Sequence, residues 1–252
     1  MVKIIAASDL HGIVNFPDVA QFAIDRGADI VVVAGDVQTA FLDITPEWDF
    51  NTIFLLGVQM LGGYGIDVVL VPGNHDFYLR DIVGGGRLPM DPNLHILCDK
   101  EETIKGLKFY GTPWVPTING RWAYELNEDE LKDKFSNIPE GIDVLVSHTP
   151  PRGEDGMDID VSMQKPLAYQ KHFGSAALRR AIEVKKPKVV ICGHIHTGFH
   201  HPAIIEESAV LNVSLVDELY RKAYKPAEIQ FCNKGKIKAR ANGGRKWTII
   251  RK

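Results

Sequence analysis

Cysteine is scarce. The 252-residue chain has three (Cys98, Cys192 and Cys232), an odd number, widely spaced and without a C-x-x-C pair. That excludes a disulfide framework and points to a reducing compartment. Long apolar runs are missing as well, and nothing approaches the roughly 20 residues of a membrane-spanning helix. The apolar stretch at residues 4–7 stops at Ser8-Asp9, too short for a secretory leader. A cytoplasmic protein without membrane contact is the expectation. Neither charge sign dominates, since 29 Lys plus Arg against 32 Asp plus Glu leave a net −3. A chain that holds nucleic acid by bulk charge is normally basic. Internal repeats and low-complexity linkers are absent too.

What is present is the composition of a globular protein, 45% hydrophobic and 24% charged, which excludes a disordered or fibrous chain. The length suits one large domain spanning residues 1–252. Charge is unevenly placed. From Asn233 onward there are eight basic residues and no acid, so the preceding part has 21 basic against 32 acidic residues, a net −11.

Short β-branched runs recur at residues 3–7, 29–34, 67–71, 143–147 and 188–192. Nearly continuous apolar runs of this length suit strands buried on both faces, as in parallel or mixed sheets. Helical spacing appears between them. Phe16, Val19, Ala20, Ala23 and Ile24 share one face, and Gly27 is placed to end that helix. Thr45-Pro46 reads as N-cap and first helical residue of a segment reaching Met60. Asn127 with Glu130 three residues on has the form of a capping box, and residues 174–184 read as a further helix. Alternation of this kind predicts an α/β architecture. The last third changes to strands at 209–213, 228–232, 236–240 and 246–250. Turn signals at Asn233-Lys-Gly235 and Asn242-Gly-Gly244 predict antiparallel hairpins, from about residue 205, as part of the same domain. Segments 81–92 and 150–173 show no clear period and read as long loops.

The chemistry lies just beyond each of the first five runs. They lead into Asp9-x-His11, Gly35-Asp36, Gly73-Asn74-His75-Asp76, His148, and Gly193-His194-Ile195-His196. In an open α/β sheet, ligands bind outside the carboxyl ends of the strands. The expectation is therefore that five strands deliver polar groups to one end of one sheet. His, Asp and Asn donors without cysteine suit Zn, Mn or Fe. In extended backbone, Asp9 and His11 project to one side, as do His194 and His196. With Asp36, Asn74 and His148 they make seven ligands. If Asp36 bridges, two ions receive four protein ligands each, and a bridging hydroxide can attack phosphorus in line. Two divalent ions against two aspartates and one hydroxide leave a net positive charge, which attracts phosphate even to an acidic protein.

In this order and spread the motifs resemble the calcineurin-like metallophosphoesterase superfamily, over about three quarters of the chain. The resemblance implies a four-layer αββα sandwich with two mixed β-sheets. It implies two divalent or mixed-valence transition-metal ions. Asp9, His11, Asp36 and His196 would hold one, and Asp36, Asn74, His148 and His194 the other. His75 would act as acid or charge stabiliser over the scissile phosphate, with Asp76 orienting its ring. The sequence lacks the GDYVDRG and RGNHE forms of the protein Ser/Thr phosphatases. It is more similar to small phosphodiesterase-type members, on the compact motif set, the His-Thr-Pro-Pro segment and Asn212-Val-Ser214.

The expected activity is hydrolysis of a phosphodiester in a small-molecule or nucleotide phosphate ester. A phosphomonoesterase, a nuclease and a non-catalytic scaffold of the same fold are the rivals. Nucleic acid is the less favoured partner, because the alternating basic residues near the terminus with Trp247 also describe the wet face of an edge hairpin. His200 and His201 read as loop histidines, and Arg80, Arg152 and Lys165 as loop charges within reach of a non-reacting phosphate oxygen. Cys192 reads as a small core residue.

Overall fold

In the computed structural model the described residues are 1–12, 16–38, 49–85, 91–153, 157–159, 171–198, 200–241 and 247–251. The first strands are β1 (Val2–Ala7), β2 (Ile30–Ala34), β3 (Asp67–Val71), β4 (Leu94–Ile96), β5 (Lys100–Ile104) and β6 (Leu107–Thr112). After them come β7 (Val115–Pro116), β8 (Glu125–Leu126), β9 (Val144–Ser147), β10 (Val189–Cys192) and β11 (Ala203–Ile205). Next are β12 (Ser208–Asn212), β13 (Ala227–Phe231), β14 (Ile237–Arg240) and β15 (Thr248–Arg251). The helices are α1 (Phe16–Asp25), α2 (Leu55–Gly62), α3 (Phe77–Gly84), α4 (Glu128–Ser136) and α5 (Ala176–Lys185).

The apolar runs form strands because both of their faces are covered. In β1, Ile4 and Ala6 face a core shared with Val144, Val146, Val189 and Ile191, whereas Ile5 and Ala7 face Phe16, Val19 and Leu61. Leu145 and Val190 turn to a third core with Leu131, Phe135, Leu178 and Ile182. Period-2 side-chain alternation thus sends each strand to two cores. The layers follow: α1, α2 and α3 on one sheet, that sheet on a second, and α4 and α5 outside it. This is the four-layer αββα sandwich.

The first sheet has the order β15-β14-β13-β1-β2-β3-β4 and the second β11-β12-β10-β9-β6-β5, with a small separate pair β7-β8. Strands β1 to β4 run parallel, as do β6, β9, β10 and β12. Antiparallel β13, β14 and β15 extend one sheet, and antiparallel β5 and β11 close the edges of the other. The motif-bearing strands are therefore divided, with β1, β2 and β3 in the first sheet and β9 and β10 in the second. This corrects the expectation of a single sheet. Their carboxyl ends nonetheless meet, because Ser8 N–H bonds Val213 O and Leu215 N–H bonds Ser8 O (3.0 Å each) across the seam.

Several local signals are met. The capping box at Asn127 is complete, with its side chain accepting from Asp129 and Glu130 N–H and Glu130 answering to Asn127 N–H. Ser175 caps α5 by accepting from Leu178 N–H. Residues 233–235 form a 3-10 turn between antiparallel β13 and β14. The expected start at Thr45-Pro46 lies outside the described residues; Asp49–Phe54 is a π turn that leads into α2. Segment 81–92 is not wholly a loop, since α3 reaches Gly84. The basic terminus is partly neutralised inside the fold. Arg240 joins Arg26 on the buried carboxylate of Glu228, and Arg240 and Lys238 lie against the Trp247 ring. All three cysteines are free, and Cys192 is buried. No helix among the described residues is long and apolar enough to cross a membrane.

Candidate metal centre

Seven predicted ligands and His75 converge where the two sheets meet. Asp9, His11, Asp36, Asn74 and His148 are buried, each at most 2% exposed, and His196 is buried beside them. Three overlapping groups have ligand atoms within 4.8 Å of one another: Asp9, His11 and His196; His11, Asp36 and His75; Asp36, His148 and His194. Asp36 links them. Its Oδ2 stands 3.7 Å from His11 Nε2 on one side and 3.3 Å from His148 Nε2 on the other. Asn74 reaches the second group through Oδ1, 3.0 Å from His148 Nε2.

The backbone that brings these groups together is not extended. Asp9, His11, Asp36 and His194 have φ of 55°, 47°, 53° and 70°. Left-handed conformations in non-glycine residues each store roughly 1–3 kcal/mol and gather at functional sites. Alternation in an extended strand is thus not what aligns Asp9 with His11. The segments are instead laced together, with Asp9 N–H on Gly35 O and His11 N–H on Asp36 O, both 2.9 Å. Gly73 has no room for a side chain, because a Cβ there would collide with the Asp36 carboxylate and the His148 ring.

Ring tautomers are fixed from behind. His148 Nδ1–H donates to Ala34 O at 2.7 Å, and His196 Nδ1–H to Asp217 O at 3.1 Å. Each is left presenting Nε2 to the centre, as second partners of metal-bound histidines do. Asp9 is held likewise: both carboxylate oxygens accept His194 N–H, and Ser214 Oγ–H donates to Oδ2. Asn212 supports the same loop, donating from Nδ2 to Ile195 O at 2.8 Å and accepting Ser214 N–H.

Asp76 departs from its expected part. Its carboxylate accepts N–H bonds from Asp36 (2.9 Å), Gln38 (3.0 Å) and Gly73 (2.7 Å). No hydrogen bond joins it to the His75 ring among the described residues. It ties the Gly35-Asp36 turn to the Gly73 turn, because three converging backbone donors satisfy it more fully than one side chain could. His75 is held otherwise. Its N–H donates to Asp36 Oδ1 at 2.8 Å, and its ring lies 4.2 Å from the Trp122 ring and 4.6 Å from that of His11. Tyr220 completes this aromatic side, 4.7 Å from His11 and 5.5 Å from His196. Trp122 and Tyr220 were not among the sequence candidates, because they come from loops without a motif.

Burial and charge set the protonation pattern. Burial works against ionisation of Asp9 and Asp36, yet the imidazoles His196 and His148 hold both well below the usual carboxylate range. Burial pushes His11 down to about 3, against the pull of Asp36, and takes His194 down to about 3 with help from the His148 charge. In His148 and His196 the aspartates overcome burial and raise both to about 9. Asp76 rises to about 7, through burial and then the Asp36 charge.

The donor set fits metal ions. His11 Nε2 and His196 Nε2 are 3.1 Å apart and both face carboxylates. Donors sharing one cation at bond lengths of about 2.0–2.1 Å lie at such separations. Two of the remaining sequence candidates lie outside the donor set. His200 bonds His196 O through Nε2 and stacks on Tyr224, while Arg80 pairs with its neighbour Asp81. Lys165 lies outside the described residues.

The model of the family described as calcineurin-like phosphoesterase matches residues 2–198. A UPF0046 protein of Caenorhabditis elegans is 30% identical over 207 residues, 76% of this chain and 71% of its own length. Metallophosphoesterase domain-containing protein 1 of Homo sapiens is 33% identical over 109 residues, 42% of this chain and 31% of the human one. Among solved structures, the TT1561 protein of Thermus thermophilus has a TM-score of 0.63 at 14% identity, covering 99% of both chains. A dimetal phosphatase from Danio rerio has a TM-score of 0.58 at 10% identity, over 99% of this chain and 98% of that one. At those identities the structures speak for the fold. The chain belongs to the calcineurin-like phosphoesterase family, and with it to the metal-dependent hydrolases of phosphoric esters.

Proposed function

We propose that the protein hydrolyses a phosphodiester at a dinuclear centre. Asp9, His11, Asp36 and His196 would hold one ion, and Asp36, Asn74, His148 and His194 the other, drawn from Mn, Fe or Zn. Bound there, the pair supplies Lewis acidity and an activated water for in-line displacement at phosphorus. One observation carries the reading: a single Asp36 oxygen lies between His11 and His148 and joins two donor groups.

The chain's own residues supply the rest. His75 hands a proton to the departing oxygen, and its backbone bond to Asp36 ties its position to the metal site. Trp122 and Tyr220 give the aromatic flank against which an organic ester group can lie. Asp76 holds both turns that present Asp36 and Asn74. The compact motif set favours diesters over monoesters.

The test is elemental analysis joined to kinetics. The parent should contain about two transition-metal ions per chain and hydrolyse bis-p-nitrophenyl phosphate faster than p-nitrophenyl phosphate. Asp36→Ala should lose both ions and the activity. An Asp36→Ala protein that keeps full turnover removes the mechanism, and a reversed substrate preference makes the enzyme a monoesterase.

A further inference from the structure

Beside His194 opens a cavity of about 410 Å³ that the reaction at the metal centre leaves unused. Two cations line it, Arg152 and Lys171. Arg152 is held at its backbone, where its N–H donates to Ser175 O at 2.9 Å, and Lys171 Nζ lies 5.6 Å from the Phe173 ring centre. Neither has an acidic partner among the described residues.

The acids that line the same cavity are engaged elsewhere. Glu128 accepts from Ser175 Oγ and from Ala176 and Ala177 N–H at the start of α5. Glu218 accepts from Thr197 N–H and Oγ1–H, at 3.0 and 3.1 Å. His172, also in the lining, is taken by buried Asp158 at 3.0 Å, which further accepts Gly174 N–H. These carboxylates keep their charge but are turned to fixed donors, and among the described residues none lies within ion-pair distance of Arg152 or Lys171, which leaves those two cations free to take an anion. An Arg fork and an ammonium placed together suit a phosphate, which offers three acceptor oxygens.

We propose that this cavity takes a second phosphoryl group of the substrate, borne on the organic part of the ester whose reacting phosphorus sits at the metal centre. The proposal rests on the phosphoesterase reading and narrows its substrate class to esters with two phosphates. Both side chains are exposed to solvent, so the preference is moderate, on the order of tenfold, and weakens with salt.

The test compares two chromogenic diesters, thymidine 5′-(p-nitrophenyl phosphate) and the same compound with a 3′-phosphate. The parent enzyme should favour the 3′-phosphorylated one about tenfold in kcat/KM, through KM. In the Arg152→Ala, Lys171→Ala double variant the ratio should fall to about one, and Arg152→Lys should keep part of it. A parent without the preference, or a double variant that retains it, overturns the proposal. If neither diester is hydrolysed the functional reading fails, and calorimetry on metal-free protein then judges the cavity alone. Pyrophosphate should bind the parent and not the double variant, whereas equal heats from both overturn the subsite.

Discussion

His75 lies in a ligand-capable group with His11 and Asp36, yet also lies against Trp122 on the aromatic side of the centre. Ligand and proton donor are separable roles. As a proton donor, His75→Asn should lower kcat about 10²–10⁴-fold while elemental analysis still finds the full metal content. A matching loss of metal would make it a ligand. Gly73 tests the packing around Asp36. Gly73→Ala forces a methyl against the Asp36 carboxylate and the His148 ring, and overpacking of this kind costs about 1–3 kcal/mol. Thermal unfolding should register that loss, together with weaker metal binding. Residue identities at the site were readable because His, Asp and Asn follow glycine or a strand end at five places. What the letters did not carry was backbone sign. The left-handed turns at Asp9, His11, Asp36 and His194 exist because loops from two sheets bond one another. For the same reason Asp76 serves the backbone and not His75.

Elements were legible where their signal is local. Asn127 and Glu130 close a capping box at α4, and Asn127→Ala should cost about 1 kcal/mol in chemical denaturation. Elements formed by a neighbour were not. Strand β5 reads Lys-Glu-Glu-Thr-Ile with one buried residue, and it is a strand because it pairs antiparallel with β6. Helix α3 was hidden by three glycines beginning at Gly84, which its last residue reaches. The β7-β8 loop turns on Glu125, whose carboxylate accepts N–H bonds from Ile118, Asn119 and Trp122. Burial opposes its ionisation, but those bonds hold it below the ordinary 4.5. Its folded value being depressed, its stabilisation is present above pH 4.5 and fades as pH falls through the folded value. Glu125→Gln should therefore unfold at lower temperature than the parent at about pH 7, and the gap should close toward about pH 3. A gap unchanged by acid would mean the charge is irrelevant to the loop.

On the scale of the whole molecule, the centre is a seam. Asp9, Asp36 and Asn74 come from one sheet, His148, His194 and His196 from the other, and His148 Nδ1–H reaches across to Ala34 O. Family resemblance anticipated two sheets, whereas the apolar runs alone put all five motif-bearing strands in one. Parallel strands buried on both faces look alike whichever sheet they join. A seam that gathers three buried carboxylates (Asp9, Asp36 and Asp76) and five imidazoles is stable only with its charges balanced. Cations bound there should therefore stabilise the packing of one sheet on the other. At free metal a thousandfold above Kd the linkage is about 4 kcal/mol, which for a chain of this size is a rise on the order of 10 °C in Tm. Chelation should remove that rise and added Mn, Fe or Zn restore it, while Asp36→Ala should melt at the same temperature with or without metal. A parent whose Tm ignores chelation, despite full metal content beforehand, would show that the ions sit elsewhere than across the seam.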